Sequence, residues 1–434
     1  MVNPKTAYEH EEDPTSGPGY RTYEVYQRER VGETTNLIKP RQLISDSFLD
    51  DPFPLLEVLR ENYPCYRDWL GNRFWITRYD DVTSVFADDQ NYETRPKCWV
   101  YGAVGYGRDL WDQLPVQRAF EKKIDDHIEE VTLESLSLFQ EGSIDLSKDF
   151  AARIPLALWG KVLNLSNEEL VNFSKMFWTM QRGTNWNPEL RESGRRAMEM
   201  LTSFLRPIFS DRQKFPEDDM ISAIAQLEFP DAPPTVEDLV VTLLECDYQT
   251  LHGGLSNLWF NLLSAPDQMA KVKEDNRLMK FAWLETLRHS PPVLSADRFA
   301  KQEVERFGRL IPKGGLLHCS SAAANRDPRY FHDPNSFIVG RSDLCQREPR
   351  GQYRADGLPA GIAFGLGKPS VHPAVPKERP RSLYALMRDT AVTASLLLLD
   401  SSDTLIISGE EAPMVSCRQL GEMWTCWHLP TTRL

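Results

Sequence analysis

Phe364-Gly365-Leu366-Gly367-Lys368-Pro369-Ser370-Val371-His372-Pro373 is the stretch that decides how the rest of this 434-residue chain is read. Gly365 to Ser370 has a superficial likeness to a phosphate-cradling loop. Such a loop needs a glycine five positions before its second glycine, where Ile362 stands, and Ser or Thr directly after the lysine, where Pro369 stands. Pro369 also removes a backbone N–H that the phosphate would need. A nucleotide site is excluded.

Other segments fall into an ordered series around this loop. Asp51-Pro52-Phe53-Pro54-Leu55-Leu56 with Leu59-Arg60 comes first, then Phe74-Trp75-Ile76-Thr77-Arg78-Tyr79-Asp80-Asp81-Val82. Asp218-Asp219-Met220-Ile221-Ser222 and Thr235-Val236-Glu237-Asp238-Leu239 precede the Glu-x-x-Arg pair Glu285 and Arg288. Pro291-Pro292-Val293, Arg298, Ile311-Pro312-Lys313-Gly314 and Ala324-Asn325-Arg326-Asp327-Pro328 follow before Phe364-Gly365-x-Gly367. In this order the segments resemble the soluble bacterial type of the cytochrome P-450 family, over roughly residues 40–434 and most weakly between about 96 and 130. The resemblance implies a mainly α fold with small β-sheets in one large domain, 36–434, after a flexible N-terminal arm, 1–35.

The family's haem loop reads Phe-Gly-x-Gly-x-(His/Arg)-x-Cys-x-Gly, and its cysteine thiolate is the iron's proximal ligand. Val371 stands at that position and has no lone pair to offer. Further departures accompany it. The family's (Ala/Gly)-Gly-x-(Asp/Glu)-Thr over the iron registers on Cys246-Asp247-Tyr248-Gln249-Thr250, so Thr250 is kept, Gln249 cannot ionise, and Asp247 replaces the glycine. The family's Trp/His-x-x-x-Arg has no clean counterpart, because Trp111 is followed by Pro115, a breaker of helix interiors. Pro369 stands where a propionate contact belongs, and Ser336 where an arginine joins Glu285 and Arg288. Arg298 is the propionate contact that remains, and the Glu285–Arg288 pair is expected to hold the core rather than to catalyse.

Around this segment Leu239, Val240, Leu243 and Leu244, then Leu251, Leu255, Leu258 and Leu262, recur at helical spacing and predict a long central helix. Gly253 and Gly254 weaken its middle by up to ~1 kcal/mol each. Asp247 and Thr250 are expected to point into a pocket as acid–base groups, with Tyr248 and Gln249 beside them. The plainer alternative pairs Asp247 with a nearby arginine and closes the space.

Composition sets outer limits. Apolar residues make up 41%, and no run reaches the 18 or so that span a bilayer. The first thirty residues are rich in charge, Pro and Gly and read as a loose arm rather than a signal peptide. Seven cysteines, at positions 65, 98, 246, 319, 345, 417 and 426, form no Cys-x-x-Cys and argue for a reducing, cytoplasmic setting. Cys417, Cys426 and His428 match no metal-ligand spacing and read as a terminal β-hairpin. A formal charge of −13 disfavours nucleic acid. Lys368, Lys377, Arg379, Arg381 and Arg388 form a local basic exception, either a solvated cluster or the docking face of a protein partner.

The expectation from the chain alone is a protein that binds no cofactor, has lost thiolate-haem monooxygenation, and serves a pathway as an auxiliary protein holding a small hydrophobic ligand. The alternatives are an oxidoreductase with an altered haem site, or a haem-independent enzyme using Asp247 and Thr250. In the haem alternative His372 is the replacement ligand, although its one-residue shift redirects the side chain and Pro369 and Pro373 restrict it.

Overall fold

The computed structural model describes residues 38–139, 142–184, 187–344, 380–401, 405–407, 414–419, 423–428 and 430–433. The haem-type loop with Phe364, Gly365, Gly367, Lys368, Val371 and His372 lies outside these residues, as do the 1–35 arm, Lys377 and Arg379. Among the described residues no helix is long and apolar enough to cross a membrane.

The chain opens with short helices α1 (Asp46–Asp50) and α2 (Phe53–Asn62), and α3 (Tyr79–Phe86) follows the first hairpin. Long helices come next: α4 (Leu114–Ser137), α5 (Arg153–Val162), α6 (Asn167–Arg182) and α7 (Pro188–Lys214). Pro115 sits in the first turn of α4, where its missing N–H has no intrahelical partner to lose. It therefore starts a 24-residue helix, whereas the sequence reading had it as a breaker. Reciprocal capping boxes begin two helices. Ser166 and Glu169 start α6, and Thr235 and Asp238 start α9 (Val236–Glu245), each pair satisfying two otherwise orphaned N–H groups. The short α8 (Met220–Ala225) lies between them, capped by Asp219.

The predicted central helix is two helices. α9 stops at Glu245, Cys246 is extended, residues Asp247–Thr250 form a 3₁₀ turn, and α10 runs Leu251–Ser264. Gly253 and Gly254 lie in the first turn of α10 rather than in the middle of a helix. Gly254 makes room for a neighbour: a Cβ there would lie 2.8 Å from Cζ3 of Trp283. α11 (Pro266–Glu274), α12 (Met279–His289), α13 (Ser321–Ala324) and α14 (Leu383–Ser401) complete the helices.

The largest sheet runs β1 (Tyr66–Asp68), β2 (Arg73–Ile76), β8 (Leu316–Cys319), β5 (Val293–Ala300), β11 (Met423–His428) and β10 (Met414–Gln419), with β3 (Tyr92–Glu93) also on β5. The antiparallel β10–β11 pair is the terminal hairpin expected from the sequence. Two small sheets accompany it, β4 (Gly142–Asp145) with β12 (Pro430–Arg433) and β9 (Leu405–Ile407), and β6 (Val304–Arg306) with β7 (Arg309–Ile311). Alternation along β5 and β8 gives the large sheet two apolar faces. Leu317 and Cys319 join the helical core, while Trp75 and Leu294 join a smaller core with Ile38, Leu43, Phe48 and Leu56.

Candidate functional site

The break between α9 and α10 brings the predicted site residues into view. Tyr248 is fully enclosed: its ring lies edge-on to Phe120 of α4 and Trp159 of α5, and its hydroxyl is 2.9 Å from Oγ1 of Thr390 on α14. Burial pushes its phenol well above the usual range. The phenol is a wedge joining the break between α9 and α10 to α4, α5 and α14. Thr250 is buried at the end of the 3₁₀ turn. Among the described residues the Asp247 carboxylate pairs with Nζ of Lys97, 150 residues earlier, and with no arginine.

Lys97 belongs to a short 3₁₀ turn, Lys97–Tyr101, at the start of a strap that lies along α9. Glu245, the last residue of α9, accepts the backbone N–H groups of Lys97 (2.9 Å) and Cys98 (3.0 Å) on its two carboxylate oxygens. One turn back Thr242 Oγ1 accepts the Leu110 N–H at 2.8 Å, and one turn further Asp238 accepts the Arg108 N–H at 2.7 Å and its guanidinium at 2.8 Å. Successive turns of α9 thus each present one acceptor to the strap, as helical spacing requires. Gly107 allows this close approach, since a Cβ there would lie 2.8 Å from the backbone nitrogen of Asp238. The turn is also tied outward, by the Tyr101 hydroxyl donating to the Met180 carbonyl at the end of α6 and by Trp99 against Phe299 of β5.

Burial pushes the Glu245 carboxyl up to about 7, with Lys97 opposing. Asp109 keeps solvent contact, so solvent screens it. Its upward shift to about 6, caused first by desolvation, weighs less than that of Glu245. Neither residue was singled out in the sequence. The available signal was a single acid closing the apolar run Leu239–Leu244 immediately before Cys246 and Asp247.

A second constellation is structural. Glu285 and Arg288 on α12 are both fully buried and pair at 2.7 Å. Arg341, expected to be missing because Ser336 stands at the family's arginine position, completes the network with Nη1 3.2 Å from Glu285 Oε1. Ser336 contributes its carbonyl to Arg288 at 3.0 Å instead. The arginine is present, five residues further along.

Arg298 on β5 shares a sheet face with Leu317 of the helical core. It is buried, donates to the Asp297 carbonyl at 2.9 Å and lies over the Phe86 ring at 4.4 Å. On the opposite face Asp297 meets Nδ1 of buried His318 at 2.6 Å. Arg381 has little charge left for a partner, since Glu121 and Asp125 of α4 and Asp389 of α14 hold its guanidinium. Arg388 likewise pairs with Asp389 at 2.8 Å.

Residues 277–354, which carry Glu285, Arg288, Arg298 and Arg341, match the family model described as Cytochrome P450. Pulcherriminic acid synthase of Bacillus subtilis is 25% identical over 350 residues, 76% of this chain and 85% of that protein. The 6-deoxyerythronolide B hydroxylase of Saccharopolyspora erythraea is 25% identical over 362 residues, 75% of this chain and 86% of that one. The chain is similar to the cytochrome P450 family. Solved P450 folds superpose over nearly its whole length. The P450 PksS of the Bacillus subtilis bacillaene polyketide synthase gives a TM-score of 0.72 at 21% identity, covering 92% of this chain and all of that one. P450BioI, solved with an acyl carrier protein bearing hexadec-9Z-enoic acid, also gives 0.72, at 19% identity and 90% coverage of this chain.

That similarity overturns the expectation of a chain without cofactor, because cytochromes P450 are haem proteins and haem is the group expected here. The residues on the sheet side fit it. A buried guanidinium such as Arg298 takes a carboxylate well, and a haem propionate is one. The four described cysteines, Cys65, Cys98, Cys246 and Cys319, are buried free thiols. Burial raises all four thiols, Cys98 to about 11.

Proposed function

We propose that this P450-family chain is a haem-dependent oxidoreductase with an altered haem site, acting on a small hydrophobic molecule. What carries the reading is the Asp247–Thr250 turn. The family's groove position carries a carboxylate already engaged by Lys97, and its relay position carries Gln249, which cannot ionise. In this reading Thr250 holds a hydrogen bond to the bound molecule, while Asp247 fixes the pocket edge through Lys97 and exchanges protons when that pair parts. Arg298 holds a propionate. When bound, the haem would supply the redox chemistry; Val371 stands at the position of the family's cysteine, and His372 follows it in sequence.

An absorption spectrum of the full chain expressed with haem precursor supplied tests this. Haem at near one equivalent, with a Soret band unlike that of a thiolate in the carbon-monoxide-reduced state, is the expected result. A thiolate-type band would sink the altered-site reading. Failure to take up haem at all would hand the case to a second reading favoured by Val371, an auxiliary protein that meets a partner through the basic residues Lys368, Lys377 and Arg379.

A further inference from the structure

We propose that Glu245 is a positioning residue, the latch that holds the Lys97–Tyr101 turn over the break in the central helix, so that its release opens the Asp247–Thr250 segment to an incoming molecule. The idea rests on reading that segment as the pocket's polar end.

The strap has two unlike ends. Residues 108–110 are fixed by Asp238 and Thr242, where Arg108 holds the Asp238 carboxyl below the usual range against the cost of burial. The 97–101 end meets α9 through one half-buried carboxylate accepting two adjacent backbone N–H groups, beside the outward ties of Trp99 and Tyr101. Removing that acceptor leaves both amides to find water, which they reach only by moving away from α9. The extended conformation of Cys246 is what lets Glu245 turn towards the strap, and Lys97 is pinned on the far side of the break by Asp247. Opening therefore parts the Lys97–Asp247 pair as well and exposes the 3₁₀ turn.

The groups facing Glu245 set its response to pH. Lys97 and Cys98 face it from the turn and Asp109 from the far end of the strap, Cys246 and Asp247 follow it in the chain, and α6 brings the neutral Gln181 to the Leu243 and Leu244 carbonyls. The closed latch raises the Glu245 carboxyl from 4.5 to about 7, so the closed state binds the proton more tightly than an open state that hydrates it. Between these values the closed state carries more protons. Opening therefore becomes easier as pH rises, by up to about tenfold per unit, and levels off once both states are ionised above pH 7.

Amide hydrogen exchange of the full chain, corrected for intrinsic rates and followed with and without added haem, tests this. In the wild type, protection of residues 97–101 should fall by about tenfold or more between pH 5 and 7.5, while that of residues 108–110 stays level. Glu245→Gln keeps the shape and cannot ionise, so its 97–101 amides should show no pH slope. Asp109→Asn should retain the slope. A flat wild-type profile, an unchanged slope in Glu245→Gln, or a slope abolished by Asp109→Asn would each overturn the proposal. The wild type and Asp109→Asn decide the matter even if Glu245→Gln fails to fold. Absence of haem would sink the oxidoreductase reading but leave this measurement intact.

Discussion

At the scale of single residues, the buried Glu285 network shows what was legible and what was not. Glu285 and Arg288 stand one turn apart on a helix, so sequence spacing placed them together. Their third partner was sought at Ser336, where the family has it, but here the chain makes five more residues of turn before Arg341 folds back. Nothing local marks that longer path, because the contact is made across 56 residues. Arg341→Ala should destabilise the fold by about 3–5 kcal/mol, the usual cost of removing one member of a buried charge network. Urea unfolding would read it, and a loss below 1 kcal/mol would show that Arg288 alone satisfies Glu285. Ser336→Arg should restore nothing, since the site is already filled. Asp247 was legible as a departure from a family pattern, whereas its lysine, 150 positions away, was not. Asp247→Gly restores the family residue and frees Lys97, so it should enlarge the pocket edge. The expected signature is a larger ligand-induced Soret shift in haem-loaded protein, and an identical titration would remove Asp247 from the pocket.

At the scale of elements, periodicity found the helical material and missed its interruption. Leu251 follows Leu244 by two helical turns, with Tyr248 at the turn between, so the apolar spacing stays in phase and does not announce a break. The interruption is tertiary in origin: Tyr248 is drawn between α4, α5 and α14, and Glu245 and Asp247 are drawn towards the strap. Gly107 is the element-scale test of that packing. Its Cβ would press on the backbone of Glu237 and Asp238, which cannot swing aside as a side-chain end can. Gly107→Ala should therefore cost about 1–3 kcal/mol, the range for overpacked sites, by lifting the strap from α9. Faster exchange at residues 108–110 than in the wild type would confirm the location. A stable variant with unchanged exchange would mean that the strap shifts along the helix without loss.

Across the whole molecule, the large sheet and the helical core are joined at Arg298, and the last prediction belongs there. One face of β5 and β8 carries the buried His318–Asp297 pair in the smaller core, and the other carries Arg298 into the larger one. A guanidinium buried on the core side is a strong donor to a carboxylate. Haem brings carboxylates to such a place, and a ligand that binds only the folded state stabilises it by about 2.7 kcal/mol at one hundred times its Kd. Haem-loaded protein should therefore unfold at a higher temperature than haem-free protein, in a haem-dependent manner. Arg298→Ala should lose much of that gain, because the propionate then lacks its cation. Arg298→Lys should keep part of it, since the charge survives without the paired donors of a guanidinium. The comparison separates two roles for Arg298. If its worth lay only in packing over Phe86, alanine would lower the melting temperature of haem-free and haem-loaded protein equally, and the increment due to haem would be unchanged. A propionate contact instead predicts that the increment itself shrinks, in the order wild type, lysine, alanine. An increment equal in all three proteins would move the carboxylate contact elsewhere in the fold.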